Sequence, residues 1–410
     1  MSPEDPVGII ELDDKNLNCL IFKIDKNNNT EILSTTTTPS EGIFNEVIVN
    51  LKKASNAIRL SISTAEKEAK ISLKKINVVL EQPDFLCTKF SKHKKIDGSK
   101  IQRHDIEFLL KEAKKQLILN DKKQSIVHIF NHNYVVDGKI FVEEPIDVFA
   151  DTLIHEMTFI TAPKNNLRNI NQSFIDCDIE VERLISKTFT LGAKLLNLEE
   201  LQSGSVIINL GYKKISLGLF KNLALVHSIT LPIGMDYITS DISKVCSLNF
   251  KESELIKNSI DFSFENNEKL FDENNFLKKT FFIDSNFRKI SKNLILSVVK
   301  ERLDEIFQIL KKQLIVPGFS LKSGVNFIIT GEGSKLFNLE KYSINFFGKN
   351  VSKKDKNNYE KNNNTRENFT SCLGALKIIK DGWETEAIPE LREKNSEKIG
   401  FFAKIFGSRI

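Results

Sequence analysis

The amino-acid sequence predicts an α/β protein with a duplicated core that carries insertions. Each of two halves opens with antiparallel strands and continues into helices, an order that is typical of a duplicated fold. The chain has 410 residues, more than one hydrophobic core usually supports, so we expect two or more subdomains. Hydrophobic residues make up 40% of the chain and charged residues 28%, which is ordinary for a globular protein.

The first half is predicted to begin with a β-β-α unit. Val7–Asp25 has the alternation of a strand pair around one polar turn, and apolar residues then repeat at helical spacing over Ile43–Ala54. After a strand at Ile76–Leu80, a helix capped at Asp105 and three further strands indicate an insert the size of a small domain. The three strands are expected at Ser125–Ile129, Tyr134–Val142 and His155–Thr161.

The second half repeats this order. Residues 165–204 have an α-β-α pattern, and residues 253–310 are expected to be mostly helical, ending in a broad apolar stripe. A buried strand at Asn326–Thr330 precedes a Gly-Glu-Gly-Ser turn, and residues 350–368 are expected to form an exposed or disordered loop. Three successive strands are predicted at Ser205–Leu210, Ile215–Phe220 and Leu223–Ile229.

Charge and cysteine content argue against several classes of function. The 59 basic and 54 acidic residues give a formal charge of +5, too even a balance to indicate nucleic-acid binding. The five cysteines are scattered without a Cys-x-x-Cys pair, which predicts neither a zinc site nor a redox dithiol and fits a reducing cytosol. The first residues lack the regions of a signal peptide, and no run of about 18 apolar residues occurs, so we expect the body to stay on the cytoplasmic side of the membrane.

No metal site is predicted from the histidines. His155 and Glu156 begin like a zinc-protease motif, but the second histidine of that motif is missing and the segment has the pattern of a strand. His128 and His132 lie beside a turn and are interpreted as structural or solvated.

The C-terminal residues predict a membrane anchor. A polar segment, Glu386–Lys398, precedes the apolar and basic segment Ile399–Ile410. Its large apolar residues share one face of a helical wheel. A helix of about 14 residues extends only about 21 Å, too short for a bilayer core about 30 Å thick, so we expect it to lie flat in the interface. A terminal helix packed on the body is the alternative. The membrane-binding residues are expected to be Lys398, Ile399, Phe401, Phe402, Ile405, Phe406 and Arg409.

Three segments resemble the bacterial cell-division protein FtsA family, a branch of the actin and DnaK-type chaperone superfamily. They are Val127–Gly138, Ile229–Ile242 with its Thr-x-Asp-Ile ending, and Phe369–Leu376, and the likeness covers nearly the whole chain. The resemblance implies an α/β fold with a duplicated actin-like (ribonuclease H-like) core, an inserted FtsA-type 1C subdomain and a C-terminal amphipathic helix.

The resemblance also implies an arrangement of subdomains. It places subdomain 1A at 1–74, 161–203 and 369–385, the insert 1C at 75–160, 2A at 204–245 and 310–368, 2B at 246–309, a linker at 386–396 and the amphipathic membrane-targeting helix at 397–410.

Members of this superfamily bind nucleotide between glycine-rich phosphate loops, and few of those glycines are present here. Where the family has Asp-x-Gly-Gly-Gly-Thr, this chain has Asn209-Leu-Gly-Tyr-Lys-Lys214, and at the first phosphate position it has Glu11-Leu-Asp-Asp14. Glu254 and Lys257 match the superfamily pair that holds the ribose and adenine. The nucleotide-binding residues implied by the resemblance are Gly211, Gly234, Glu254, Lys257, Gly331, Gly333 and Ser334.

Two interpretations of this pocket remain open. In one, ATP or ADP binds weakly, with Mg²⁺ present only with the nucleotide, and Lys213 or Lys214 replaces the missing backbone donors. In the other, the pocket is vestigial. We expect no enzymatic turnover, because no carboxylate lies in a motif that would orient a water molecule.

The resemblance further implies partners. In the family, subdomain 2B receives the acidic C-terminal peptide of the tubulin-like protein FtsZ, and Arg302 matches a family arginine that faces this peptide. A basic surface formed by Lys292, Lys300 and Arg302 is therefore expected to bind the FtsZ peptide, although a solvated helix face is the alternative. Subdomain 1C is implied in self-association into filaments and in contacts with later division proteins.

The function implied by the resemblance is a non-enzymatic cell-division scaffold. It would polymerise on the anionic cytoplasmic face of the inner membrane at the division septum. There it would anchor the FtsZ ring to the membrane and recruit later division proteins. A pilus-assembly scaffold of the same fold and an ATP-dependent enzyme of the sugar-kinase and actin superfamily are the alternatives.

Overall fold

The computed structural model describes residues 5–265, 267–315, 325–354 and 369–382. The predicted linker and amphipathic helix, with all seven membrane-binding residues, lie outside the described residues, as does most of the predicted loop at 350–368. No helix among the described residues is long and apolar enough to cross a membrane.

The described residues form two compact units. The first comprises residues 5–204, 218–229 and 369–382, and the second comprises residues 205–217, 230–265, 267–315 and 325–354. The finer division into four subdomains stays a prediction.

The elements follow one another in two runs. From the first residue to Gly204 they are β1 (Val7–Leu12), β2 (Asn16–Ile24), β3 (Thr30–Pro39), β4 (Ile43–Phe44), β5 (Val47–Ile48), α1 (Leu51–Ala69), β6 (Lys75–Leu80), β7 (Leu86–Lys100), α2 (Arg103–Asn120), β8 (Gln124–Val136), β9 (Lys139–Phe141), β10 (Phe149–Pro163), α3 (Lys164–Ile175), β11 (Glu180–Ser186), α4 (Lys187–Leu195) and α5 (Leu198–Ser203). After Gly204 they are β12 (Ser205–Leu210), β13 (Ile215–Lys221), β14 (Ala224–Leu231), α6 (Asp236–Cys246), α7 (Phe250–Ser259), α8 (Lys292–Gln313), β15 (Asn326–Thr330), α9 (Leu339–Phe347), β16 (Val351–Lys353) and α10 (Thr370–Asp381).

The first unit is built on a five-stranded sheet with the order β11-β6-β1-β2-β3. The predicted strand pair is β1 and β2, which run antiparallel from Val7 opposite Phe22 to Leu12 opposite Leu17. β3 extends the sheet antiparallel to β2, and apolar alternation does not predict it because its sequence is rich in threonine. β6 and β11 add to the other side in parallel.

The helix expected from Ile43 begins later than predicted. β4 and β5 pair around Asn45 and Glu46, two residues with left-handed φ angles, so this stretch turns back on itself before the helix. α1 starts at Leu51 because the side-chain oxygen of Asn50 accepts the backbone N–H of Lys53 at 3.0 Å and caps the helix.

The insert forms a second sheet with the order β7-β10-β8-β9, and α2 packs on one of its faces. Its predicted start at residue 75 is wrong, because β6 pairs with β1 and β11 in the first sheet and the insert begins with β7. β7 contains five lysines, so its sequence resembles a polar loop more than a strand. α2 begins at Arg103 and not at Asp105, whose carboxylate instead accepts the backbone N–H of Gln102 at 2.8 Å.

Apart from the sheet of the insert, the core contains another five-stranded sheet. Its order is β14-β13-β12-β15-β16, with β12, β15 and β16 parallel. The prediction that residues 253–310 are mostly helical is wrong between α7 and α8. There the buried carboxylate of Glu252 organises the chain by accepting the backbone N–H groups of Ile283, Asp284 and Ser285 at 2.7, 2.9 and 2.9 Å. α8 then presents the predicted apolar stripe to the core.

Candidate functional site

The turn between β12 and β13 stands at the predicted second phosphate position. It lies against the start of α6, where the backbone N–H of Asp236 donates to the Tyr212 carbonyl oxygen at 3.0 Å. A Cβ on Gly234 would lie 1.9 Å from that carbonyl oxygen, and a Cβ on Gly211 would lie 2.4 Å from the Lys214 carbonyl oxygen. Both glycines therefore allow backbone to approach backbone within this unit.

The turn after β15 contains the predicted adenosine-loop residues. Gly331 has a φ of +88°, and a Cβ there would lie 2.3 Å from the side-chain oxygen of Asn209. A Cβ on Gly333 would lie 2.7 Å from Cγ of Met235. The buried Ser334 hydroxyl donates to the Gly331 carbonyl oxygen at 2.6 Å. These residues hold the turn against its neighbours, and the Ser334 hydroxyl is used within the turn itself.

Glu254 and Lys257 lie one turn apart on α7, as the sequence predicts. The Lys257 ammonium is 2.8 Å from both carboxylate oxygens of Glu254, and the lysine side chain is 4% exposed. The Thr239 hydroxyl on α6 donates to the same carboxylate at 2.5 Å. The lysine is therefore shielded from water, the glutamate side chain is 29% exposed, and a third group fixes the pair, unlike a fully solvated pair on a helix surface.

Tyr212 brings these segments together, and the sequence motifs do not single it out as a site residue. Its ring centroid lies 5.6 Å from the Lys257 ammonium and 5.5 Å from the Lys213 ammonium. Burial, followed by three nearby carboxylates, raises the pKa of Tyr212 to about 12. The three carboxylates are those of Glu254, Asp236 and Glu332.

In the first unit, the residues at the predicted first phosphate position surround a lysine that the sequence motifs also do not reveal. The Lys187 ammonium lies 2.6 Å from the Glu11 carboxylate, 3.0 Å from that of Asp13 and 3.9 Å from that of Glu46. Burial opposes the charge on Lys187, but these carboxylates outweigh it and hold the lysine pKa well above its usual value. The ammonium thus neutralises part of a negative cluster from within the chain.

The buried carboxylate of Glu81 binds the residues on either side of Lys187. It accepts the Ser186 hydroxyl at 2.6 Å and the backbone N–H of Thr188 at 2.8 Å, which fixes the first turn of α4. Lys187, the first residue of α4, is held in place by these bonds.

The residues at the two predicted phosphate positions do not fit a magnesium-bound nucleotide as they stand. At the first position the carboxylates already surround Lys187, and further negative charge from a triphosphate would be repelled. At the second position the glycine-rich donors are replaced by Tyr212 and two lysines. Within the described part of the chain, no group of three or more His, Cys, Asp or Glu side chains is arranged to hold a metal ion.

A cavity of about 480 Å³ lies between α6 and α8 in the second unit. Arg302 lines it, with Nε 2.5 Å from the Asp241 carboxylate and one terminal nitrogen 2.5 Å from the Glu305 carboxylate. The predicted partners Lys292 and Lys300 do not line the cavity. Its lining consists of Asp241, Val245, Ser297, Val298, Glu301, Arg302 and Glu305.

His128 has a structural role. Its Nε2 accepts the backbone N–H of Ser186 at 2.9 Å, and burial lowers the pKa of His128 to about 3, so the ring is neutral.

Comparison with known proteins identifies the family. A model described as cell division protein FtsA matches residues 206–374, and a model of the SHS2 domain inserted in FtsA matches residues 86–161. Together they match more than half of the chain. The chain belongs to the FtsA family. The SHS2 match coincides with the insert from β7 to β10, so the inserted subdomain of the FtsA resemblance is confirmed.

Individual relatives agree with this assignment. Cell division protein FtsA of Agrobacterium fabrum is 21% identical over 358 residues, covering 84% of this chain and 80% of the relative. FtsA of Pseudomonas aeruginosa is 23% identical and covers 77% of this chain and 75% of the relative. A chain of the PilM-PilN type IV pilus biogenesis complex superposes with a TM-score of 0.61 at 14% identity, over 92% of this chain and 99% of that chain. This last likeness supports the predicted actin-like fold and nothing finer.

Proposed function

We propose that this FtsA family protein is a non-enzymatic cell-division scaffold that binds the C-terminal peptide of an FtsZ protein in the cavity between α6 and α8. The observation that carries the proposal is the position of Arg302, which the family resemblance assigns to peptide binding and which lines this cavity. Val245 and Val298 beside it supply apolar surface for a peptide side chain.

Arg302 already has two carboxylate partners, so an acidic peptide must replace one of them. The Glu305 side chain is 56% exposed, whereas that of Asp241 is 21% exposed. An exposed ion pair contributes only about 0–1 kcal/mol, so exchange of Glu305 for a peptide carboxylate costs little. Asp241 then keeps the Arg302 guanidinium oriented, and the other edge of the guanidinium binds the peptide.

The proposal is tested by co-sedimentation or fluorescence anisotropy with a synthetic FtsZ C-terminal peptide. Arg302→Glu is expected to weaken binding at least 10-fold, because it places a fourth carboxylate in the cavity. Glu305→Gln is expected to strengthen binding about 2- to 5-fold, since it removes the competing carboxylate.

Lys300→Glu is the matched control, because Lys300 lies on the same helix, is exposed and does not line the cavity. It should change binding by less than 2-fold at physiological salt. Equal losses in the two charge-reversal variants would point to a diffuse basic surface and contradict the assignment of the cavity.

The rest of the proposed role follows from the family and the C-terminal sequence. We expect the body to self-associate on the cytoplasmic face of the inner membrane at the division septum, held there by the tail at residues 397–410, with the insert contacting later division proteins. A role in pilus assembly is favoured by no observation beyond a shared fold. Bound ATP or ADP, and Mg²⁺ with it, stay predictions.

A further inference from the structure

The residue at position 212 distinguishes this chain from the glycine pattern of its superfamily. A glycine there would leave space beside α7, whereas Tyr212 fills it with an aromatic ring. The backbone of Tyr212 is fixed, because its carbonyl oxygen accepts the Asp236 backbone N–H at 3.0 Å and lies against Gly234.

The surroundings of the ring are the groups that would otherwise meet a nucleoside. The Lys257 ammonium lies 5.6 Å from the ring centroid and is paired with Glu254, so both members of the predicted nucleoside-binding pair are beside Tyr212. The Lys213 ammonium lies 5.5 Å from the same ring and 2.8 Å from the Asp236 carboxylate. A cation near an aromatic face is attracted to it, so these lysines favour the observed position of the ring.

We propose that Tyr212 occupies the nucleoside position of the second unit, so that ATP or ADP binds there only after the Tyr212 ring is displaced. The Glu254 and Lys257 pair is held by its own ion pair and by Thr239, and the Tyr212 ring lies against its lysine. The body of the protein then keeps the Tyr212 ring in this position when no nucleotide is bound. This inference concerns a site separate from the Arg302 cavity and stands or falls independently of the peptide proposal.

The test is calorimetric titration of ATP and ADP, with and without Mg²⁺, into the full-length protein and its variants. Tyr212→Ala is expected to bind at least 10-fold more tightly than the unmodified protein, because the space beside Lys257 becomes available. Tyr212 has no left-handed φ angle, so alanine is compatible with its backbone. Tyr212→Phe keeps the ring and should bind as weakly as the unmodified protein.

A double variant locates the gained affinity. Adding Lys257→Ala to Tyr212→Ala should remove the gain, since Lys257 is the cation that the ring covers. The inference is overturned if Tyr212→Ala binds no better than the unmodified protein, or binds worse because the ring is itself a stacking contact for the base.

A second measurement uses the unmodified sequence, in case the alanine variant folds poorly. The chain has five tyrosines, so ¹⁹F NMR of 3-fluorotyrosine-labelled protein gives few resonances, and the one missing in Tyr212→Phe belongs to Tyr212. Saturating ATP should move this resonance if the ring is displaced. Micromolar ATP binding with an unmoved Tyr212 resonance would refute the inference.

Discussion

The side chains of Glu252 and Lys187 keep their charges because of specific neighbouring groups. Glu252 accepts three backbone N–H groups and the Ser285 hydroxyl, the latter at 2.6 Å. Burial by itself raises the pKa of Glu252, but the hydrogen bonds from Ser285, Asp284 and Asn249 outweigh it and lower the pKa to about 2. At Lys187 the same competition is decided by carboxylates, which keep the ammonium charged.

Glu252 leads to a prediction of pH dependence. Its pKa is about 2 in the folded state against 4.5 in the unfolded chain, so its stabilisation is present above about pH 4.5 and is lost as the pH falls toward 2. The shift corresponds to roughly 3 kcal/mol at neutral pH. Glu252→Gln should lower the urea midpoint at pH 7, and the difference from the unmodified protein should shrink between pH 4.5 and 2.

The control for this change is Glu273→Gln, an exposed glutamate in the segment between α7 and α8. Its urea midpoint should match that of the unmodified protein at both pH values. If Glu252→Gln lost stability by the same amount at low and neutral pH, ionisation of Glu252 would not be the cause.

At the scale of elements, the contact between α4 and α10 depends on a glycine. α10 packs along α4 in the first unit, and a Cβ on Gly374 would lie 1.9 Å from the Thr190 carbonyl oxygen. Gly374 lies in the interior of α10, where glycine costs about 1 kcal/mol relative to alanine. The close approach of the two helices therefore depends on a residue that weakens the helix itself.

Gly374→Ala tests this contact, because helix propensity and packing predict opposite signs. Propensity favours the alanine by about 1 kcal/mol, but the added Cβ must push the helices apart at a cost of about 1–3 kcal/mol or more. We expect a net loss of stability, seen as a lower melting temperature by circular dichroism. A gain of stability would mean that the two helices separate freely at this point.

At the scale of the whole molecule, the proposed scaffold depends on its tail. Each Phe or Ile inserted at the acyl boundary contributes roughly 1.5–3 kcal/mol, and each Lys or Arg near an anionic leaflet about 1 kcal/mol. One such anchor is reversible, whereas several anchors in an assembly hold more firmly, because after the first has bound the others bind at high effective concentration. Membrane binding and self-association are therefore expected to reinforce each other.

The anchor is tested by pelleting with anionic vesicles. Replacing Phe402 and Phe406 by glutamate should abolish pelleting and leave the melting temperature unchanged, since charge at both positions disrupts the apolar face. The matched control replaces two exposed phenylalanines of the described body, Phe44 and Phe337, which are 54% and 62% exposed, and should pellet normally. Undiminished pelleting of the tail variant would rule out the anchor.

The sequence by itself determined the features that depend on local pattern. β1 and β2 follow from alternation, α8 follows from its apolar stripe, and the motifs around Thr239 and Gly374 led to the FtsA family. Glu254 and Lys257 were identified through the resemblance to the superfamily, and their contact is a local one because i and i+3 positions meet on any helix.

Only the tertiary structure decided which distant residues meet. Lys187 and Asp13 are separated by 174 positions, and no spacing rule pairs them. In the sequence, Tyr212 only marks a position where the family pattern has a glycine. Its place beside Lys257 depends on how the β12–β13 turn packs against α6 and α7. β7 is a strand because it pairs with β10, and its lysine-rich sequence does not predict this pairing. Local sequence sets backbone preference, whereas burial and charge pairing arise from contacts between distant segments.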